Sequence, residues 1–271
     1  MYINCHGDDF EDTELCILHN QLPNGNNLPY FDKIVELKEE AIRDKIEKND
    51  FNFEHTNLFE VNFEGLHIEG NINFAGSYIY KDVNFENSHI MGDVIFDGSQ
   101  IEGDVNFNLS QISGYVSFSR NYEISKISNI KGNVSIKGAN INGGIFLREV
   151  NISGDIKFDN TDLGFVLRLD EAKIGGDVWF TSSNTGNFVD FSKITIEKNL
   201  YFDHSKIGRF ASFTAAKIGL NVNFNSTFIE NDLDFVGVKI GGSANFNDAN
   251  KYANSLFKNV KSPIFKVSFN C

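Results

Sequence analysis

The 271 residues carry 37 acidic and 24 basic side chains, a net charge of −13, together with 27 phenylalanines and three cysteines. That charge works against bulk attraction to nucleic acid, three unevenly spaced cysteines exclude a disulfide framework, and no apolar run approaches the length of a membrane span. The opening MYINCHGDDFEDTELC has neither a basic nor an apolar signal region, so a soluble, cytoplasmic protein is expected, with secretion by another route left open.

Residues 1–49 follow no repeat and are expected to form an N-terminal cap. Within them the spacing of Ile34, Leu37, Ala41, Ile42 and Ile46, with charges between, predicts one amphipathic helix over 30–48. A helix there would cover an open strand edge; the alternative is a helix that binds a partner. Cys5, His6, Cys16 and His19 place four soft donors in fifteen residues, but the spacing matches no zinc pattern and no metal is expected.

From residue 50 to 254 the chain keeps an eleven-residue beat. Phe63, Phe74, Phe85, Phe96, Phe107 and Phe118 are eleven apart, and the beat resumes at Phe158 and runs through Phe180, Phe191, Phe202, Phe213, Phe224, Phe235 and Phe246 to Phe257, with Phe53 opening it one residue short. In the copy Asp82 to Gly92, DVNFENSHIMG, the second, fourth, seventh and ninth residues are apolar or small, and the same holds at Val94, Phe96, Ser99 and Ile101 in the next copy. Alternation at period two is a strand signal, cut here to about three residues at a time. Gly70, Gly92, Gly103, Gly114, Gly143, Gly154, Gly176 and Gly242 close their copies, where a corner of positive φ is expected. The abundant asparagines are expected to occupy left-handed corners as well. A fixed period makes each copy one structural unit stacked on the next. It weakens the case for an enzyme, and no nucleophile triad, phosphate loop or dinucleotide fingerprint is present.

The recurrence of a small residue at i−2 and a large one at i, after five residues and then six, resembles the pentapeptide-repeat family in its eleven-residue double-unit form. The resemblance covers about residues 50–254. It implies an all-β solenoid, a right-handed four-sided parallel β-helix, in which two copies make a 22-residue coil. About nine coils at a rise of about 4.8 Å give a rod roughly 45 Å long, filled by columns of Phe, Ile and Val. Residues 22 apart then stack, so His67 and His89 should lie one above the other, followed by Gln111, all facing outward like Trp179.

The beat slips once. Val116 to Val134 spans eighteen residues, eleven plus seven, which places an insertion close to 121–127, NYEISKI. A loop leaving a regular solenoid is either tolerated or a binding element, and Asn121, Tyr122, Glu123 and Lys126 are its candidate contact residues; similar loops matter in the gyrase-directed members of the family it resembles. Residues 255–271 are expected to be a C-terminal cap or dimerisation segment. There Phe265, Val267 and Phe269 alternate as a last strand that either closes the rod or pairs with a second copy, as the resemblance implies for homodimers joined at their C-terminal ends.

Charge is divided unevenly. Residues 1–119 hold 22 acidic and 6 basic side chains, net −16, while residues 120–271 hold 15 and 18, net +3, which together recover −13. Glu60, Asp82 and Asp104 should form one ladder and Glu64 and Glu86 another beside it, with Asp93 and Asp97 on the opposite side. Stacked carboxylates repel, and on this reading the fold has no need of them. They are either a solvated face or a surface for a basic partner. The expected function is a non-catalytic protein, without cofactor or metal, that binds a protein partner through its acidic N-terminal half and projecting loop. Two alternatives stand beside it. One is a DNA mimic acting on a type II topoisomerase or another DNA-binding enzyme with a basic groove, as the resemblance implies for inhibitors and protectors of gyrase. The other is a self-assembling scaffold. Direct nucleic-acid binding is not expected, because no basic stripe is evident in the sequence.

Overall fold

A computed structural model describes residues 17–19, 21–22, 31–231, 233–249 and 267–268. The repeat folds as a parallel β-solenoid of about nine coils preceded by one short helix, α1 (Phe31–Glu47). The first coil contributes β1 (Asn57–Leu58), β2 (Val61–Asn62), β3 (His67–Ile68) and β4 (Ile72–Asn73), and the later coils extend the four stacks they begin. We call these stacks walls one to four. Wall one has nine strands, wall two ten and wall four eight. Wall three is a five-stranded and a two-stranded sheet joined through Asn184, which bridges Asp162 and Lys206. Strands are two or three residues long, as the alternation predicts.

The register carries the period directly. Val83 pairs with Val61 and Val105, each 22 residues away. The one-residue shortfall at the start appears as Asn57 opposite Tyr78. The insertion appears as Asn129 opposite Gln100, 29 residues apart where 22 is the rule.

The core is the predicted one. Val, Ile and Phe at the second, fourth and ninth positions are buried along the whole rod, and so are the small residues at the seventh. Alternate phenylalanines build two columns of parallel rings. Phe74, Phe96 and Phe118 stack at 4.8 and 4.7 Å, and Phe180, Phe202 and Phe224 at 4.7 and 5.1 Å. Rings of the two columns meet edge-on at about 6 Å, as Phe85 meets Phe96 at 6.2 Å, so phenyl groups such as Phe85, Phe96, Phe202 and Phe213 have both favoured aromatic geometries. Ile136, Leu147 and Leu169 interrupt the columns in mid-rod and are equally buried. Phe257 lies outside the described residues.

Two expectations about the corners are corrected. The closing glycines do not have positive φ; that conformation belongs to the sixth position, filled by Gly65, Gly76, Asn87, Gly98, Leu109, Glu149, Asn160 and their successors. From Gly92 onward glycine closes the copy for lack of space instead: a Cβ on Gly103 would stand 2.1 Å from Asp82 Oδ1 and 2.6 Å from the backbone carbon of Lys81, one coil earlier, while one on Gly70 in the first coil would meet nothing within 4 Å. Asparagine is likewise only an occasional corner residue. Asn62, Asn84 and Asn106 form a ladder along wall two, their amides linked at 3.4 and 3.2 Å, and each accepts the backbone N–H two residues on. The residue type is selected by its amide, which both donates and accepts.

α1 closes the first coil. Ala41, Ile42 and Ile46 pack on the core, as the helical spacing predicts, but its most buried residues are Phe31, Lys38 and Lys45. Lys38 Nζ donates to the carbonyls of Ile17 (2.7 Å) and Asn57 (2.6 Å), the second belonging to β1 at the edge of wall one. Burial pulls its pKa down to about 8. Leu18 is fully buried beside it and its carbonyl receives the Asn57 N–H at 2.6 Å. At the other end the strand Val267–Ser268 pairs with Ala244–Asn245 and extends wall two. Phe265 and Phe269 of the predicted last strand lie outside the described residues.

Candidate functional site: the outer faces of the rod

The predicted acidic ladders stack as expected, but most of their carboxylates have a structural task. Asp82 Oδ1 accepts the Asp104 N–H at 2.7 Å, and Asp104 Oδ1 accepts the Asn133 N–H at 2.6 Å. Asp93, which enters wall four, accepts the Tyr115 N–H at 3.0 Å, and Asp97 accepts both the Ser119 N–H at 2.8 Å and the Ser117 hydroxyl at 2.5 Å. Burial raises the Asp97 pKa against those hydrogen bonds. Asn71, Asn133, Asn199 and Asn221 do the same for the next coil through a neutral amide oxygen. The position therefore selects an acceptor, not a charge, which corrects the view that the fold has no use for these groups. Glu64 and Glu86 form the second column and accept the side-chain amides of Asn84 (3.2 Å) and Asn106 (3.0 Å). Glu60 heads the first column and is exposed.

The insertion at 121–127 is a small hairpin. Asn121 and Lys126 exchange backbone hydrogen bonds at 2.8 and 3.0 Å, and the Asn121 side chain receives the Glu123 N–H at 3.0 Å. The hairpin lies along the rod where a projecting loop is expected. Backwards, it covers the corner column: a Cβ on Gly98 would stand 2.8 Å from Asn121 Cβ, and one on Gly76 would stand 3.1 Å from Ile124 Cδ1. Forwards, the Tyr122 hydroxyl donates to Glu149, and its ring lies 5.5 and 5.8 Å from the guanidinium groups of Arg120 and Arg148. Hydrogen bonding to the Glu149 carboxylate raises the Tyr122 pKa and lowers that of Glu149. Tyr122, Glu123 and Lys126 remain exposed. The same guanidinium groups open a chain of ion pairs down wall four, Arg148 to Asp170 at 3.0 Å and Arg168 to Asp170 at 3.1 Å and Asp190 at 3.6 Å.

The remaining candidates are the cysteines and histidines. Cys5, His6 and Cys16 lie outside the described residues, and the His19 carbonyl accepts the Asn57 side-chain amide at 2.7 Å. His67 and His89 stack at 4.9 Å and 19°, with Gln111 next in register. Among the described residues no three His, Cys, Asp or Glu side chains gather as a metal site, and no helix is long and apolar enough to cross a membrane.

Two surfaces escape the sequence reading. The first is aromatic. Phe188 and Phe210 are register neighbours on wall four, Phe188 pairs with Val166 on the other side, and the Phe165 carbonyl accepts the Phe188 N–H at 3.1 Å. Phe165 is 60% exposed and Phe210 65%, so one corner of three successive coils presents bare phenyl rings. The signal was present: Phe188 and Phe210 are 22 apart and three residues ahead of the core beat at Phe191 and Phe213. The second surface is basic. Lys173, Thr195, Lys217 and Lys239 form one exposed to half-exposed column on wall one, a short basic stripe that linear sequence disperses among acidic residues.

No curated protein and no solved structure matches the chain. The family model for pentapeptide repeats (9 copies) matches residues 53–111, the first coils of the rod. The inward Phe, Ile and Val of those copies continue to Phe246, with one slip at the 121–127 insertion, so residues 53–111 match the pentapeptide-repeat family and the rest of the rod repeats their pattern.

Proposed function

We propose that this chain is a non-catalytic interaction rod that holds a protein partner against the Phe165, Phe188 and Phe210 corner. The exposed phenyl rings carry the reading. A β-solenoid with a filled core has no folding reason to present three large apolar side chains to water on successive coils, and contiguous exposed apolar surface marks interaction sites. The flanking chain of arginine–carboxylate pairs on wall four supplies a polar rim of the kind interfaces use. The acidic columns of the first half are a second contact region, with Glu60, Glu64 and Glu86 as the groups not committed to backbone amides.

The test is retention of partners from lysate by the full chain against Phe188→Ser/Phe210→Ser, with both proteins shown folded by circular dichroism. The reading requires partners retained by the first and lost by the second. Equal retention overturns it.

A DNA mimic acting on a basic groove is the second reading, favoured by the axial columns Glu60–Asp82–Asp104 and Glu64–Glu86. It is weakened further along wall two, where the asparagine ladder between those columns gives way to Ser135, Lys157, Trp179 and Tyr201. Unaltered gyrase supercoiling at excess protein would dismiss it.

A further inference from the structure

Wall two changes character in mid-rod. Its outward column runs Asn62, Asn84, Asn106, Ser135 and Lys157 before reaching Trp179 and Tyr201, then returns to Asn223 and Asn245. Trp179, the only tryptophan of the chain, stacks on Tyr201 at 4.0 Å and 14°, so one indole face is covered. Its register neighbour on the other side is Lys157, and there a surface groove of about 390 Å³ opens between this column and the parallel column of Lys137, Asp159 and Thr181. The volume lies within the range of small-molecule sites.

The polar groups of the groove are paired in charge. Lys137 Nζ lies 3.6 Å from Asp159, and Lys157 Nζ lies 3.8 Å from Asp155. The site therefore offers no net field for an anion. What it offers is a mixture of donors and acceptors: ammonium groups, the Asp159 carboxylate, the Asn160 amide and the Thr181 and Ser182 hydroxyls, beside an indole. The Trp179 Nε1–H is buried and has no partner in the protein, so the indole offers the groove its ring and not its N–H. A ligand whose every oxygen both donates and accepts, and whose ring has an apolar C–H face, matches that mixture.

We propose that this groove binds a neutral hydroxylated ring, the pyranose unit of a sugar, stacked on the indole and bonded at its rim by Asp159, Lys137 and Thr181. The site is separate from the aromatic corner on wall four and does not depend on it. A single ring against one aromatic face implies binding in the millimolar range.

Because Trp179 is the sole tryptophan, its fluorescence reports the groove alone. The experiment titrates the full chain with cellobiose and with maltose, and repeats the titration on Asp159→Ala and Lys137→Ala, whose folding is checked by thermal melting. The expected result is a saturable emission change with at least one disaccharide, weakened roughly fivefold to tenfold in each variant, the loss of about one hydrogen bond. Polygalacturonate and insoluble cellulose are added as separate arms. Retention on cellulose would place the sugar in a polymer, and a response to disaccharide alone would place it free in solution; both support the site. Absence of a saturable change with either disaccharide, an unchanged response in Asp159→Ala, or binding of polygalacturonate without binding of a neutral sugar each overturns it.

Discussion

The corner acceptors give the most discriminating prediction about the fold. Asp82, Asp155 and Asn221 occupy one column at the entry to wall two and accept the N–H of Asp104 (2.7 Å), Asp177 (2.9 Å) and Ser243 (2.9 Å). Three coils separate each from the next, about 14 Å at the strand spacing, so their effects should add. Replacing all three by alanine leaves three amides to water at a partly exposed corner. At the lower end of the worth of a hydrogen bond, about 0.7 kcal/mol each, the loss is about 2 kcal/mol. For a domain of this size that is roughly 4–8 °C in Tm. Asp82→Asn/Asp155→Asn removes the same two charges as the corresponding alanine changes yet keeps both acceptors, and should leave Tm nearly unchanged. Differential scanning calorimetry of the two sets decides the matter. Equal losses in the asparagine and alanine proteins would show that charge, not the acceptor, is what the corner needs, and the reasoning would be refuted.

Three further outcomes are expected. Lys38 keeps an ordinary lysine pKa when unfolded but has one of about 8 when buried, so the unfolded chain binds more protons between those values and stability rises with pH from about 8 towards 10.5, by at most about 3 kcal/mol; urea unfolding at pH 8 and pH 10 against Lys38→Met, which should lack the rise, measures it. Phe96→Ala opens the ring column between Phe74 and Phe118 and should cost about 3–5 kcal/mol. Because coils touch only their neighbours, the chemical melt should separate into two steps, and a single unshifted transition would contradict the column. Gly98→Ala adds a Cβ 2.8 Å from Asn121, whereas Gly65→Ala at a similar φ meets nothing within 4 Å. The first should therefore lose about 1–3 kcal/mol more than the second and expose Lys126 to trypsin, while equal effects would detach the hairpin from the corner.

Much of this was legible in the sequence because a solenoid repeats one local decision. The inward set and the seven-residue insertion derive from the period alone, while the 22-residue register and the stack of His67 on His89 follow from the coil that the family resemblance implies. Features that depend on contact between coils were not legible. A closing glycine has the same letter whether φ or space requires it, and only the approach of Asp82 to Gly103 tells them apart. An aspartate that repels its neighbours when charges are counted along the chain accepts the next coil's amide in three dimensions. The direction of the 121–127 hairpin depends on Gly98 and Gly76, one and two coils away, and on Glu149 a coil ahead. The aromatic corner was hidden by abundance, since Phe188 and Phe210 are two more phenylalanines in a chain that already has a phenylalanine beat.

The central claim is that the rod makes contact through the Phe165, Phe188 and Phe210 corner. Its most direct test is photo-crosslinking in cells with benzoylphenylalanine placed singly at position 210, at position 64 on the acidic face, and at position 100 on wall one. The account predicts a discrete protein adduct from position 210 and none from position 100. An adduct from position 64 alone, or equal labelling from all three, would contradict it.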